Sequence, residues 1–159
     1  MRLKYLTKNP LQTKKLGRDL AGKLLKDKSQ KRARVLGLEG DLGGGKTTFL
    51  QGLARGLGIK QKILSPTFVI LKRFKIKDLR FKCFYHFDCY RIQKSKEILD
   101  LGFKEVISNP KNIVAVEWAD RIKKALPKNA VMLDFDFINK NTRRITIGVK
   151  PKTKRNYRG

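Results

Sequence analysis

The sequence is poor in acidic residues, in cysteine and in long apolar runs. It has 13 Asp and Glu against 39 Lys and Arg, a formal net charge of +26. No run approaches the roughly eighteen apolar residues of a membrane-spanning helix, and the segment after Met1 lacks a signal-peptide core. Cys83 and Cys89 lack metal-site spacing, which indicates two reduced thiols. We therefore expect a cytoplasmic protein without membrane contact.

The remaining composition is that of a folded protein, because 40% of the residues are hydrophobic. A chain of 159 residues is long enough to bury one substantial core. We expect a single domain over residues 1–149, followed by a disordered basic tail at residues 150–159.

The positive charge is uneven along the chain. Residues 1–34 and 60–82 are strongly basic, and no acid occurs from Lys140 onward. Such a charge attracts polyanions, with RNA the leading candidate. A lysine-rich composition without a binding role explains the same pattern, and no arginine–aromatic RNA-binding module is present. The sequence leaves both interpretations open.

Residues 40–48 match the phosphate-binding loop pattern G-x-x-x-x-G-K-[ST], also called the P-loop or Walker A motif. Glycines let backbone N–H groups approach phosphate oxygens closely at a helix N-terminus. The apolar run Val35–Leu38 precedes the loop, and a helical apolar pattern that stops at Gly58 follows it. This context predicts binding of ATP or GTP.

Within that loop, Lys46 is predicted to reach the β and γ phosphates, and the Thr47 hydroxyl to ligate Mg²⁺. The predicted nucleotide-binding residues are Asp41, Leu42, Gly43, Gly44, Gly45, Lys46, Thr47 and Thr48.

Two carboxylates follow apolar or β-rich runs elsewhere. The run Ile113–Val116 leads into Glu117, and Asp88 stands at the end of another predicted strand. Alternation along that strand puts His86, Asp88 and Tyr90 on one face. In nucleotide-hydrolysing folds, a carboxylate at the end of a buried strand beside the phosphate loop holds Mg²⁺, directly or through water. Asp88 can orient the attacking water or anchor the Mg²⁺ shell. Alternatively, it is a hydrogen-bonded strand end, with His86 an ordinary polar neighbour.

Two further positions have two interpretations each. Thr67, in Ser65-Pro66-Thr67, lies where small GTPase-like folds place a switch hydroxyl that senses the γ-phosphate. Taken alone, the segment is a loop that enters a strand. Trp118 follows Glu117 directly, and it is either a packing residue or an aromatic that reports on nucleotide binding.

The order of predicted elements alternates between strands and helices. The first are a strand at 3–6 and a helix at 10–26 with Asn9 as N-cap, followed by the strand, phosphate loop and helix described above. After these come an antiparallel hairpin of 68–74 and 80–87, a helix at 95–101 stopped by Gly102, an apolar run at 113–116, and strands at 130–137 and 143–149. This order predicts an α/β fold, a single P-loop NTPase-like domain with a mixed parallel and antiparallel sheet flanked by helices.

The motifs resemble, in order and spacing, those of the TsaE (YjeE) family. They are the loop Asp41–Thr47, Ser65-Pro66-Thr67-Phe68, His86-Phe87-Asp88-x-Tyr90-Arg91, Leu101-Gly102-Phe103 and Glu117-Trp118. The resemblance covers about residues 3–149. It implies a slow, Mg²⁺-dependent ATPase of tRNA threonylcarbamoyladenosine (t6A) synthesis. It also implies that the protein acts together with the TsaB–TsaD heterodimer, which transfers the threonylcarbamoyl group to tRNA.

Residue by residue, the resemblance implies that Gly43–Thr48 surround the phosphates and that Thr47 and Glu117 lie at Mg²⁺. It places Asp88 and Thr67 near the γ-phosphate, so that these two, Lys46 and Glu117 form the catalytic set. Gly44 stands where the family usually has alanine. The high charge and the basic tail are not explained by the resemblance.

Two other functions remain open on the sequence. A small-molecule or nucleoside kinase also uses a phosphate loop, but the segment after Glu117 is too short for an arginine-rich lid. A basic RNA-binding module with a structural nucleotide is the second. The candidates for the adenine contacts are the segment through Thr13 and the turn at residues 139–143.

Overall fold

One mixed β-sheet organises the described part of the chain. The computed structural model describes residues 2–28, 31–64 and 70–149. In these ranges seven strands form one sheet in the order β1-β7-β6-β2-β5-β4-β3. The strands are β1 (Leu3–Thr7), β2 (Arg34–Gly40), β3 (Leu71–Lys75), β4 (Cys83–Asp88), β5 (Asn112–Glu117), β6 (Val131–Phe137) and β7 (Arg143–Val149). The helices are α1 (Pro10–Lys26), α2 (Lys46–Gly56), α3 (Ser95–Leu99), α4 (Phe103–Ser108) and a 3-10 helix (Ala119–Ile122).

The centre of the sheet is parallel and its edges are antiparallel. Strand β2 lies between β5 and β6, and β4 adjoins β5, all in parallel pairing. Strands β3 and β7 pair antiparallel with β4 and β6, and β1 pairs antiparallel with β7. The predicted mixed α/β sheet is therefore confirmed. Because β2, β5 and β4 are parallel, their carboxyl ends lie at one edge of the sheet.

Strand β2 is buried on both sides, because helices cover both faces of the sheet. Its Leu36 and Leu38 pack in one core with apolar residues of α1 and α2. Its Val35 packs in a second core with residues of α3, α4 and the 3-10 helix. Such near-continuous apolar runs are typical of strands in a parallel sheet. None of the helices within the described ranges is long and apolar enough to cross a membrane.

Helices α1 and α2 approach each other closely through glycines. A Cβ atom built on Gly52 would stand 2.0 Å from the carbonyl oxygen of Lys14. A Cβ atom on Gly17 would stand 2.2 Å from the carbonyl oxygen of Phe49. Neither distance is possible for a real side chain, so this backbone contact requires glycine at both positions.

Most predicted elements are confirmed, with differences at their ends. Asn9 caps α1, since its Oδ1 accepts a hydrogen bond of 2.9 Å from the backbone N–H of Gln12. Gly58 follows α2 with a φ of +78°. The predicted hairpin is present, but β3 begins at Leu71 and β4 only at Cys83. Residues 68 and 69 of its predicted first strand lie outside the described residues, as does the tail at 150–159.

The region around Gly102 differs more from the prediction. Helix α3 ends at Leu99, two residues before the predicted end. Gly102, with a φ of +82°, precedes a second helix, α4, that the sequence analysis did not predict. Phe103 is the first residue of α4 and is fully buried, which fixes this short helix against the second core.

Candidate functional site

The phosphate-binding loop joins the end of β2 to the start of α2, as predicted. Gly45 precedes α2 in the left-handed region, with a φ of +96°. Gly40 has a φ of +129°, and a Cβ atom there would stand 2.2 Å from the carbonyl oxygen of Phe135. Both positions therefore need glycine. The arrangement leaves the free N–H groups and partial positive charge of the α2 N-terminus beside the loop.

A cleft of about 350 Å³ opens over this loop. It joins four separate parts of the chain: the loop with the start of α2, the start of α1, the end of β5 and the β6–β7 turn. Its lining residues are Asn9, Pro10, Thr13, Leu42, Gly43, Gly44, Gly45, Lys46, Thr47, Thr48, Glu117, Trp118, Lys140, Asn141 and Arg143. The two segments predicted to contact the base thus border the same cleft as the loop. The base contacts themselves stay a prediction.

The ammonium of Lys46 lies in the floor of this cleft. Its Nζ donates to the carbonyl oxygens of Gly40 at 2.6 Å and Asp41 at 2.9 Å. It also lies 4.4 Å from the centre of the Trp118 ring. Burial lowers the pKa of Lys46, while the nearby Glu117 carboxylate opposes that shift. Within the described ranges Lys46 has no salt bridge, so its charge is neutralised only by dipoles, the Trp118 ring and more distant carboxylates.

Glu117 is held between two partners at the end of β5. The Thr47 hydroxyl lies 3.4 Å from its Oε1, and His86 Nε2 lies 2.9 Å from its Oε2. Glu117 is 3% exposed and His86 is fully buried. Because a carboxylate only accepts hydrogen bonds, this pairing puts the His86 proton on Nε2. The carboxylate is therefore fixed beside the first turn of α2.

Asp88 reaches the same place because its strand lies next to that of Glu117. The register of β4 and β5 puts Asp88 directly opposite Glu117. Asp88 Oδ1 accepts a hydrogen bond of 2.9 Å from the backbone N–H of Tyr90. Burial raises the pKa of Asp88 and the Glu117 charge adds to this, whereas the Tyr90 hydrogen bond, His86 and Lys46 lower it. Two carboxylates and one ammonium thus share one end of the sheet.

The oxygen atoms present suit a Mg²⁺ ion that is bound partly by the protein and partly by phosphates. In the described residues no group of three or more His, Cys, Asp or Glu side chains is arranged to hold a metal ion alone. Thr47 and Glu117 offer one hydroxyl and one carboxylate, close together at the loop. Mg²⁺ is commonly bound by one or two protein oxygens together with substrate phosphates and water. The residues present fit that pattern.

Three residues contribute more than the sequence analysis assigned to them. His86, read as a possible ordinary polar neighbour, contacts Glu117 on the adjacent strand. Arg143 donates from Nε to the carbonyl oxygen of Gly43 at 3.0 Å, which ties the β6–β7 turn to the phosphate loop. Trp118 is the one non-glycine residue with positive φ (+56°) in the described ranges, and its ring covers Lys46.

Of three further predicted residues, one lies elsewhere than expected, one is outside the described residues and one contacts the site through its backbone. Strand alternation put Tyr90 on one face with His86 and Asp88, but β4 ends at Asp88 and Tyr90 lies in the following turn. Its ring instead packs on Trp118, with 5.1 Å between ring centres. Thr67 lies outside the described residues. Asp41 meets the site through its backbone, since its carbonyl oxygen accepts from Lys46.

The chain is similar to known proteins of one family. The profile of the family described as "Threonylcarbamoyl adenosine biosynthesis protein TsaE" matches residues 7–145. The tRNA threonylcarbamoyladenosine biosynthesis protein TsaE of Bacillus subtilis is 38% identical over 144 residues, covering 91% of this chain and 84% of the relative. That of Treponema pallidum is 33% identical, covering 80% and 87% respectively.

A solved structure is also similar. The crystal structure of Bacillus subtilis YdiB superposes with a TM-score of 0.74 at 33% identity and covers 94% of this chain and 86% of that one. The family profile, the relatives and the fold agree over almost the whole chain, and this protein belongs to the TsaE family of threonylcarbamoyladenosine biosynthesis proteins.

Proposed function

We propose that this protein binds ATP with Mg²⁺, hydrolyses it slowly, and supports t6A modification of tRNA by acting on the TsaB–TsaD complex. One observation carries the ATPase part. Lys46, Thr47, Glu117 and Asp88 come from three different elements and meet at one end of the sheet, around a glycine loop at a helix N-terminus. Ligands of open α/β sheets bind outside the carboxyl ends of the strands, which is where this group lies.

Each side chain has a role that follows from its position. Lys46 exchanges its two loop carbonyls for the β and γ phosphate oxygens, which offer full negative charge instead of dipoles. The first N–H groups of α2 and the loop bind the same phosphates. Arg143 keeps Gly43 in place from the opposite wall. The loop is therefore shaped for phosphate before the ligand arrives.

Thr47 and Glu117 would hold the metal ion. Mg²⁺ bound by them would supply positive charge against the negative charge of the phosphates. His86 keeps the Glu117 carboxylate from turning away, because their hydrogen bond of 2.9 Å is fully buried. Asp88, opposite Glu117, either orients the attacking water or anchors the hydration shell of the ion. Thr67 is proposed as the residue that senses the γ-phosphate.

The partner and the pathway rest on family membership. The relatives from B. subtilis and T. pallidum are named as t6A biosynthesis proteins. TsaB–TsaD is the partner that the family resemblance implies, and work with it would take place in the cytoplasm. ATP hydrolysis then resets a partner enzyme and does not modify a small substrate.

The kinase alternative has less support. Between β5 and β6 the described chain has only the four-residue 3-10 helix Ala119–Ile122 and turns. An arginine-rich lid over the γ-phosphate needs a longer insertion at this place. The alternative of an RNA-binding module with a structural nucleotide does not account for the buried hydrogen bond between His86 and Glu117 or for the contact of Glu117 with Thr47.

Phosphate release from ATP, measured with and without purified TsaB–TsaD, separates the three functions. We expect slow turnover by the protein alone and faster turnover with the complex. A kinase would transfer phosphate to an added nucleoside without any need for TsaB–TsaD. A binding module with structural nucleotide would release no phosphate in either sample, and that result would contradict the proposal.

A further inference from the structure

A second concave surface lies on the layer formed by α1 and α2. It is separate from the cleft over the phosphate-binding loop, which is called the nucleotide cleft below. This cationic groove has a volume of about 580 Å³ and is lined by Lys14, Arg18, Gln51, Arg55, Gln61, Lys62 and Ile63. Four of its seven lining residues are cations and none is an acid. None of these residues lines the nucleotide cleft, so the ATPase proposal does not use the groove.

The close contact between the two helices is what places the cations side by side. Gly52 touches the backbone of Lys14, and Gly56 touches the backbone of Arg18, where a Cβ atom would stand 2.9 Å from the carbonyl oxygen. Two rows of long side chains, one from each helix, therefore border the same groove. The third side of the groove is formed by residues 61–63. Gln51 attaches this segment to α2, because its Nε2 donates a hydrogen bond of 3.1 Å to the carbonyl oxygen of Ile63.

This arrangement is unfavourable for the protein on its own. Lys14 and Arg18 are four residues apart on α1, and like charges at that spacing repel each other. In the described residues none of the four cations forms a salt bridge; the nearest acid on α1, Asp19, pairs with Lys15. Arg18, Arg55 and Lys62 are exposed to solvent, and Lys14 is half-buried. A polyanion bound in the groove would relieve the repulsion.

We propose that the cationic groove binds the phosphate backbone of RNA. An acidic protein partner is a poorer fit, because the cores of protein interfaces are rich in aromatic and other apolar groups. The groove has Ile63 as its one apolar lining residue, and that side chain is buried. Charged and amide side chains without an apolar centre suit a nucleic-acid backbone, because proteins that bind nucleic acids make most of their hydrogen bonds to its phosphates and sugars. The binding should be indifferent to base sequence, because contacts to phosphate carry no sequence information.

Salt dependence of binding measures the number of phosphates that the groove contacts. Each phosphate neutralised on a single strand contributes about 0.7 to the slope of log affinity against log salt. The test variant replaces Lys14, Arg18, Arg55 and Lys62 with Gln in the full chain. The control variant replaces four exposed lysines elsewhere with Gln: Lys96, Lys104, Lys124 and Lys128. Both variants lose four charges, so their net charge is identical.

The probe is a labelled 20-nucleotide single-stranded RNA, followed by fluorescence anisotropy over a series of salt concentrations. The test variant should lower the magnitude of the slope by about 3, and the control variant should change it by less than about 1. Equal losses in the two variants would show that net charge alone attracts RNA, and would overturn the proposal. A polyglutamate peptide of equal charge that bound as tightly as RNA, and lost binding in the same variant, would assign the groove to an acidic protein instead.

Nucleotide affinity and thermal stability check that both variants are folded. If the four-residue variant does not fold, the exposed residues Arg18, Arg55 and Lys62 are replaced without Lys14. The expected decrease in the slope is then about 2. Unchanged salt dependence in that folded variant would equally contradict the proposal.

Discussion

At the scale of single residues, the two carboxylates of the site contact different groups. Glu117 contacts Thr47 and His86, whereas Asp88 accepts from the backbone N–H of Tyr90. Neither carboxylate lies at the α1 or β6–β7 wall of the cleft, where the base is expected. Their proposed effects are therefore on the metal ion and on water.

Replacing either carboxylate should depress chemistry more than binding. We expect Glu117→Ala and Asp88→Ala to reduce kcat strongly, by at least tenfold, and to change ADP affinity much less. Calorimetry with ADP and a phosphate-release assay on the same preparations give the two quantities. If ADP affinity fell as far as kcat in both variants, the assigned roles would be wrong.

The sequence predicted some of these residues and missed others for a physical reason. Lys46 and Thr47 belong to a contiguous motif whose geometry is local, so their places were predictable. The contact of His86 with Glu117 depends on the register of two strands that are 31 residues apart in the chain. No local pattern encodes that register. Arg143, which joins Gly43 from 100 residues away, was predictable only as part of a turn near the site.

At the scale of elements, the strongest structural constraint is the contact between α1 and α2. The apolar spacing of each helix was readable from the sequence, but their closeness was not, because it depends on glycines that each face the backbone of the other helix. Helix α4 was missed for a related reason. Its six residues follow Gly102, which resembles a helix stop, and its place is fixed mainly by the burial of Phe103.

Alanine substitution at two helical glycines should have opposite effects. Gly52→Ala puts a Cβ atom 2.0 Å from the Lys14 carbonyl oxygen, so the helices must separate. We expect a loss of about 1–3 kcal/mol in the free energy of unfolding, as for other overpacked sites. Gly22, in α1, has nothing within 4 Å of its built Cβ atom. Gly22→Ala should therefore stabilise the protein by about 0.5–1 kcal/mol.

Urea unfolding of the two variants and the wild type measures both changes. The comparison is internal, because each variant adds one methyl group to a helical glycine of the same helix pair. A Gly52→Ala variant as stable as the wild type would show that α1 and α2 do not pack as closely as described.

At the scale of the whole molecule, the charge of +26 is the feature that family membership does not explain. The α/β class and the mixed sheet followed from the alternation of strand and helix patterns. The distribution of the charge in space did not follow, because lysines far apart in the chain meet only in the folded protein. Lys62 and Arg18 border one groove although they are 44 positions apart in the chain.

The basic tail should contribute to RNA binding and not to ATP hydrolysis. At physiological salt the Debye length is about 8 Å, so diffuse attraction is largely screened. We expect the isolated protein to bind tRNA only weakly and without selectivity under these conditions. Deleting residues 151–159 should weaken that binding further and leave ATP turnover unchanged, because the site motifs all precede the tail. Tight, tRNA-selective binding, or loss of ATPase activity with the tail, would contradict this account.

Lys46→Ala tests the central claim, that the phosphate loop binds and hydrolyses ATP, most directly. The sequence has one tryptophan, and its ring lies 4.4 Å from Lys46 Nζ, so we expect Trp118 fluorescence to follow nucleotide binding in the wild type. Because the substitution also alters the tryptophan's surroundings, affinity in the variant is measured by calorimetry together with phosphate release. Without the ammonium, the β and γ phosphates lose their main side-chain cation, and we expect nucleotide binding or turnover to be almost abolished. Wild-type ATP affinity and turnover in Lys46→Ala would contradict the account.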